Sequence, residues 1–289
     1  QGRVNILLAG NSSDDEGHGG ADLTDSIMLV SLNTAQKTGY ILSIPRDLYV
    51  DVPGSGYAKI NETYQDGEKG GFSAADYPRG GMGLLEKVIA ERFGIKPHYY
   101  ALVNYTALQQ AVDAVGGVTI TVESTDPRGL YDSSPDLKNN RQPLVKLPNG
   151  TVTLDGRTAL NLARARGNGR VTYGYAQSDF TRTEYQRKIL VGLKQKAGSA
   201  STLSNPVKLS KLMDSLGNNV KTDFEVSELR RLQQLTSEIP DAQIKSVSLN
   251  NAAGKNLLKS YTTKSRQSAL IPVAGLDDYS EIQTFINGL

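Results

Sequence analysis

An alternation restricts the fold of this chain more than any other feature. Short apolar runs rich in β-branched residues give way repeatedly to longer stretches with helical spacing. The runs are "VNILLAG" (4–10), "SIMLVSL" (26–32), "GYILSIP" (39–45), "YYALVNY" (99–105) and "VTITVES" (118–124). They have strand length, and several lack the polar alternation of a half-wet strand, as strands buried on both faces do. Helical spacing covers 83–93, 106–115, 156–166, 181–197, 227–239 and 279–286. Strands covered on both faces need helices on both sides, so the chain reads as α/β, a three-layer α-β-α sandwich around a central mixed β-sheet.

Beyond Gly198 the texture changes to "SASTLSNPVKLSK", followed by two helices and the strand candidates "IKSVSL" and "SALIPV". The division expected is a catalytic domain over 1–198 and a C-terminal extension over 199–289, packed on the same sheet. Two Gly-rich polar stretches, 61–83 and 126–150, are too long for simple connections and read as lids or site-lining loops.

The 289 residues include no cysteine, no tryptophan and two histidines, His18 and His98. That removes thiolate nucleophiles, zinc–thiolate sites and the two-histidine zinc motif, and leaves a serine triad dependent on an isolated imidazole. The net charge is only +2, without the broad basic clustering of a nucleic-acid binder, so no nucleic-acid partner is expected. No apolar run is long enough to span a bilayer.

Positive charge is nevertheless concentrated. From Gly156 to Lys188 there are seven basic side chains against two acidic ones. "ALNLARARGNGR" holds Arg164, Arg166 and Arg170, and residues two apart share a face only where the chain is extended, so Arg164 and Arg166 reach one anion if the helix unwinds between them. Arginine suits phosphate, because its planar fork donates paired charge-assisted hydrogen bonds and keeps its proton. In "TRTEYQRKILVGLKQKAG" Thr181 and Glu184 have capping-box spacing. Arg182, Gln186, Ile189 and Leu193 then share one face with Leu190 beside it, polar at one end and apolar at the other. An ordinary amphipathic helix fits that face, and so does a pocket for an amphiphile with an anionic head.

The opposite charge lies near the amino terminus, where "NSSDDEGHGGADLTDS" sets Asp14, Asp15, Glu16, Asp22 and Asp25 between two strands. Oxygen ligands of this kind suit a hard cation such as magnesium. In "SIPRDLYVDVPG" Pro45 helps to stop the strand and presents Arg46 and Asp47 in the loop that follows, and "AKINETY" adds Lys59.

Six motifs in order, "LTDSIMLVSLN", "GYILSIPRDLYVDVPG", "KINETY", "AVDAVGGVTITV", "LDGRTALNLARAR" and "DFTRTEYQRKIL", resemble the LytR-CpsA-Psr family of bacterial cell-wall glycopolymer ligases over roughly residues 4–197. The resemblance implies a phosphotransferase, anchored to the cell membrane by an amino-terminal segment outside this sequence and facing the cell envelope. It would take a glycopolymer from a polyprenyl-pyrophosphate carrier, join it to peptidoglycan through a phosphodiester and release polyprenyl phosphate. Arg46, Arg164, Arg166 and Asp25 would be catalytic. Lys59, Arg182, Gln186 and Asp179 would join those arginines around the pyrophosphate. Ile189, Leu190 and Leu193 would line a lipid-binding hydrophobic groove or tunnel.

Asp25 would hold magnesium, with manganese as an alternative. Many family members carry an aspartate two residues after the glycine that ends the first strand, where this chain has Ser12, so Asp14 is taken as the second metal ligand in preference to Asp22. A carboxylate near the metal is a candidate general base, with no residue assigned. Two other readings use the same clamp: a pyrophosphatase in which water replaces the sugar hydroxyl, and a noncatalytic polyprenyl-phosphate binding protein.

Overall fold

The computed structural model describes residues 2–13, 22–175, 179–199, 217–252 and 254–289. In chain order the elements begin with β1 (Arg3–Gly10), β2 (Ser26–Asn33), β3 (Thr38–Ile44), β4 (Tyr49–Val52), β5 (Gly56–Lys59), α1 (Thr63–Lys69), α2 (Gly81–Phe93) and β6 (Tyr99–Val103). Next come α3 (Tyr105–Ala114), β7 (Val118–Val122), β8 (Leu130–Asp136), β9 (Gln142–Leu147), β10 (Gly150–Leu154), α4 (Gly156–Arg164), β11 (Thr172–Tyr173) and α5 (Asp179–Ser199). The last are β12 (Val220–Thr222), α6 (Val226–Ser237), β13 (Ile244–Ser248), β14 (Leu258–Thr262), β15 (Ser268–Pro272) and α7 (Ser280–Asn287). The chain is thus a mixed α/β protein with a central mixed sheet.

Two compact units share these elements. One comprises Gln1–Tyr105, Asn218–Glu225 and Glu238–Leu289, the other Thr106–Gly217 and Val226–Ser237. The first contains the six-stranded sheet, in the order β12-β6-β1-β2-β3-β13. β1, β3, β6 and β13 run one way, with β2 and β12 opposed to their neighbours. Leu7, Leu29 and Leu42 are register partners across β1, β2 and β3 and all are fully buried. Burying each contributes about 2 kcal/mol, and α2 (Leu85, Val88, Ile89) and α7 (Ile282, Ile286) belong to the same core. Residues 199–289 supply both outer strands of this sheet, β12 and β13, as well as α6 in the second unit.

The second unit contains the pair β7–β10 and the three-stranded sheet β11-β8-β9, with a core of its own that includes Val118, Ile120, Leu162, Tyr185 and Ile189. Both stretches read as long loops carry regular structure. Residues 61–83 include α1 and the start of α2, and 126–150 include β8 and β9. In α1 the misleading residue is Gly67: a Cβ there would sit 2.7 Å from Gly81 Cα, so the glycine lets two helices touch rather than marking a turn. In β8, "LYDSSPD" has turn chemistry, and the ladder with β9 shifts register between Asp132 and Pro135. Proline and serine read as a break because they occupy an irregular strand.

Candidate functional site

In the first unit, strand register delivers the charges. Ile27 pairs with Ile44 across β2 and β3. Two residues further along each strand lie Asp25 and Arg46, and the Arg46 guanidinium donates to the Asp25 carboxylate. Arg46 Nε also lies 3.7 Å from Asp47 Oδ2, and Lys59 Nζ bonds Asp47 Oδ1 at 2.7 Å. The result is a chain of alternating charges, Asp25–Arg46–Asp47–Lys59, with side chains between one fifth and one third exposed. It lies where β1 and β3 end, the carboxyl edge at which α/β sheets build their sites.

Backbone bonds fix it there. Leu48 N bonds Pro45 O at 3.0 Å, closing the turn after β3, and Asn61 N bonds Arg46 O. Thr24, fully buried, donates both its N–H and its hydroxyl to Asn61 O, at 3.0 and 3.2 Å. The "KINETY" motif therefore anchors the residue immediately before Asp25. Ser12, where an aspartate was looked for, is wholly buried beyond the end of β1. A hydroxyl costs far less to bury there than a carboxylate. Asp14, the expected second metal ligand, lies outside the described residues.

In the second unit the helix does unwind between the two arginines. Asp155 caps α4, its carboxylate accepting from Thr158 N at 2.7 Å, and hydrogen bonds from the Thr158 side chain and then its backbone N–H hold the Asp155 pKa below its ordinary value. The helix ends at Arg164, and Ala165 is extended (φ −65°, ψ 134°) with its side chain buried. Arg164 and Arg166 flank that buried alanine and are both partly exposed, whereas Arg170 is exposed. Gln186 Nε2 donates to Ala163 O at 2.9 Å, satisfying one of the carbonyls left open at the end of α4. Gln186 thus acts on the arginines by holding their helix end.

Two carboxylates missed in the sequence organise this region. Asp132 is 1% exposed and accepts from the backbone N–H groups of Gly167, Gly169 and Ser134 at 2.9 to 3.0 Å. The segment carrying Arg166 is thereby wrapped around one buried charge. Gly167 has φ +69°, and a Cβ on Gly169 would come within 2.5 Å of Asp132 Oδ1, so neither position accepts a side chain without movement. Asp136 accepts from Arg157 Nε and NH2 at 3.0 and 2.8 Å and from Asn161 Nδ2 at 2.8 Å, clamping the first turns of α4 onto β8. The sequence signal for both was an aspartate in a Ser/Pro-rich stretch, which reads as turn chemistry.

On α5 the expected face divides. Arg182 is 4% exposed, so this cation is held inside the fold rather than at its rim. Ile189 is 2% exposed and belongs to the core of the second unit, Leu193 packs against that core, and Leu190 is partly buried. The helix begins at Asp179, two residues before the expected cap at Thr181; the Asp179 side chain lies outside what is described. Tyr185, also buried, accepts from Glu123 N at 3.2 Å, and burial raises its pKa. Burial lowers the pKa of neighbouring Arg187, partly opposed by Glu184.

A model of the LytR_cpsA_psr family matches residues 1–270. The chain is 34% identical over 229 residues to the polyisoprenyl-teichoic acid–peptidoglycan teichoic acid transferase TagU of Oceanobacillus iheyensis, a match covering 79% of this chain and 61% of that protein. It therefore spans less than two thirds of that relative's length. Among solved structures, that of B. subtilis TagV matches with a TM-score of 0.70 at 23% identity, covering 99% of this chain and 96% of that one. The structure of YwtF (TagT) with bound octaprenyl pyrophosphate lipid matches at 0.67 and 22%, covering 100% and 90%. At these identities the structural likeness is one of fold.

Proposed function

This chain belongs to the LytR_cpsA_psr family, and from that premise we propose that it moves a glycopolymer from a polyprenyl-pyrophosphate carrier to peptidoglycan. The acceptor hydroxyl oxygen attacks the sugar-side phosphorus, and the bond from that phosphorus to the bridging oxygen breaks. Polyprenyl phosphate leaves with the electron pair, and the hydroxyl proton passes to a carboxylate. The observation that carries the reading is the alternating chain Asp25–Arg46–Asp47–Lys59 at the strand ends, assembled from three of the family-like motifs. Phosphoryl transfer needs positioning and stabilisation of developing charge more than covalent help. Cations already held by carboxylates lose little freedom in meeting a phosphate. Arg46 and Lys59 in the first unit, and Arg164, Arg166 and Arg182 in the second, are the cations assigned to the pyrophosphate; Ile189, Leu190 and Leu193 are assigned to the lipid.

Magnesium, with manganese as the alternative, suits the donor chemistry available. Asp25 offers a carboxylate, and the buried Oδ1 of Asn61, the residue that holds Thr24, has no hydrogen-bond partner among the described residues. Both are hard oxygen donors. Among the described residues no group of three His, Cys, Asp or Glu side chains gathers, but magnesium commonly takes one or two carboxylates and completes its shell with substrate phosphates and water. When bound, the ion would supply charge neutralisation at the pyrophosphate oxygens. Asp25 and Asp14 are its proposed carboxylate ligands.

The protein is proposed to work on the outer side of the cell membrane, tethered by an anchor preceding this sequence. None of the described helices is long and apolar enough to cross a membrane. The test is incubation with a lipid-linked pyrophosphate sugar and peptidoglycan, with and without magnesium, followed by mass spectrometry of both products. Glycan joined to the acceptor through phosphate supports the ligase. Free sugar phosphate with polyprenyl phosphate replaces it with a pyrophosphatase, and lipid bound but unaltered across several donors replaces it with a binding protein.

A further inference from the structure

The β4–β5 hairpin has one face in the core and one in water. Val50 and Val52 are buried, while Tyr49, Asp51, Tyr57 and Lys59 share the other face, with Tyr49 opposite Lys59 and Asp51 opposite Tyr57. Lys59 is the outer member of the charge chain at the candidate site, so this face begins at that site and runs outward. The next hairpin is joined alongside, Leu270 N bonding Asp47 O at 2.9 Å, and it contributes Tyr261. The rings of Tyr57 and Tyr49 stack with centroids 5.6 Å apart and planes 26° from parallel, and those of Tyr49 and Tyr261 lie 5.7 Å apart at 31°. The first pair is stacked and the second tilted.

One exposed aromatic ring is ordinary; here the exposed Tyr57 is continued by two partly exposed rings, Tyr49 and Tyr261. Tyr57 leaves 43% of its surface in water, yet its hydroxyl is tied to the Asp277 carboxylate. That bond pushes the phenol pKa up to about 12, so the ring stays neutral and held. The row is bordered by carboxylates (Asp51, Asp277) and ammonium groups (Lys59, Lys259). A nucleic-acid backbone would meet two carboxylates. A pyranose ring offers what the row can use: a face of C–H bonds for the electron-rich tyrosine faces, and a rim of hydroxyls for the carboxylates and amines.

We propose that Tyr57, Tyr49 and Tyr261 form a binding surface for a saccharide chain whose sugar rings stack along the row, beside Lys59, which faces the middle ring. That the saccharide is the glycan of the acceptor rests on the phosphotransferase reading; the saccharide surface itself does not.

The experiment is a titration of the full chain, carrying 13C-labelled tyrosine rings, with chitohexaose and no lipid donor. The ring resonances of Tyr49, Tyr57 and Tyr261 are expected to move together. Y57A, at an exposed position, is expected to weaken binding at least about tenfold, and Y57F, which keeps the ring, to stay within about threefold of the parent. Absence of movement in these rings at millimolar chitohexaose, or parental affinity in Y57A, overturns the proposal. Because no donor is present, ring shifts in a protein that transfers no glycan would retire the phosphotransferase reading and leave the surface standing. Transfer with an acceptor KM unchanged in Y57A would do the reverse.

Discussion

Each unit buries carboxylates, and it treats them in opposite ways. In the second unit Asp132 and Asp136 are saturated, the first by three backbone N–H groups and the second by a bidentate arginine and an asparagine. In the first unit Glu86, on the inner side of α2, is 4% exposed, and its Oε1 has no hydrogen-bond partner among the described residues. Burial, with a smaller contribution from Asp223 and a small opposing one from Lys96, pushes its pKa up to about 8. A buried carboxylate with its acceptor sites filled organises the groups that donate to it; an orphaned one takes up a proton. The arginine-bearing segment of the second unit is therefore built around a hydrogen-bonded acceptor, while the helix layer of the first tolerates an acid by neutralising it.

The sharpest way to break this contrast is Asp132→Ala. Three partly buried N–H groups would lose their acceptor, and the expected cost is about 3 kcal/mol of stability, read by urea unfolding. A cost under about 1 kcal/mol would mean that the segment carrying Arg166 does not depend on that acceptor.

Glu86→Gln probes the other side. The folded protein keeps the Glu86 proton up to about pH 8, whereas the unfolded chain releases it near 4.5. Between those values the native state binds more protons, so this group's contribution to stability is full below 4.5 and declines as pH rises toward 8. Integrated to pH 7 at about 1.4 kcal/mol per pH unit, the loss is roughly 3 kcal/mol. A glutamine at this position does not titrate, so the variant is expected to flatten the stability profile between those limits and to exceed the parent at pH 7. An identical slope in both proteins would remove Glu86 as its source.

The same contrast explains what could be read in advance. Asp25 and Arg46 were legible from the acidic loop, the turn after Pro45 and the motifs that carry them; what brings them together is the register of Ile27 with Ile44, each two residues away. The unwinding at Ala165 was legible because Arg164 and Arg166 needed it to act together. Asp132 was not, because two of its three backbone N–H partners, Gly167 and Gly169, lie more than thirty residues away, and no local pattern marks an aspartate as their acceptor. Gly67 misled because in sequence a glycine marks a turn, and only the fold reveals that its missing Cβ makes room for another group. Arg182 was read as the polar end of an amphipathic helix face, and its burial depends on neighbours that helical periodicity alone does not specify.

For turnover the two units should look alike. Arg46→Ala and Arg164→Ala are each expected to slow glycan transfer at least about a hundredfold, the scale of a lost electrostatic donor, with folding intact by circular dichroism. A near-parental rate in one variant alone would confine the chemistry to the other unit's cations and make the first set structural.

The smallest effect separates a ligand from a support. Gln186 donates to Ala163 O at the end of α4, and a single neutral hydrogen bond of this kind contributes about 1 kcal/mol. Gln186→Ala is expected to cost that much stability and to slow transfer through misplacement of Arg164. If so, the deficit should not add to that of Arg164→Ala, because a helix end that no longer carries the arginine has nothing left to misplace. A double variant slower than Arg164→Ala by the full factor of the Gln186 change would instead mean that Gln186 meets the substrate directly, the role the family resemblance implies.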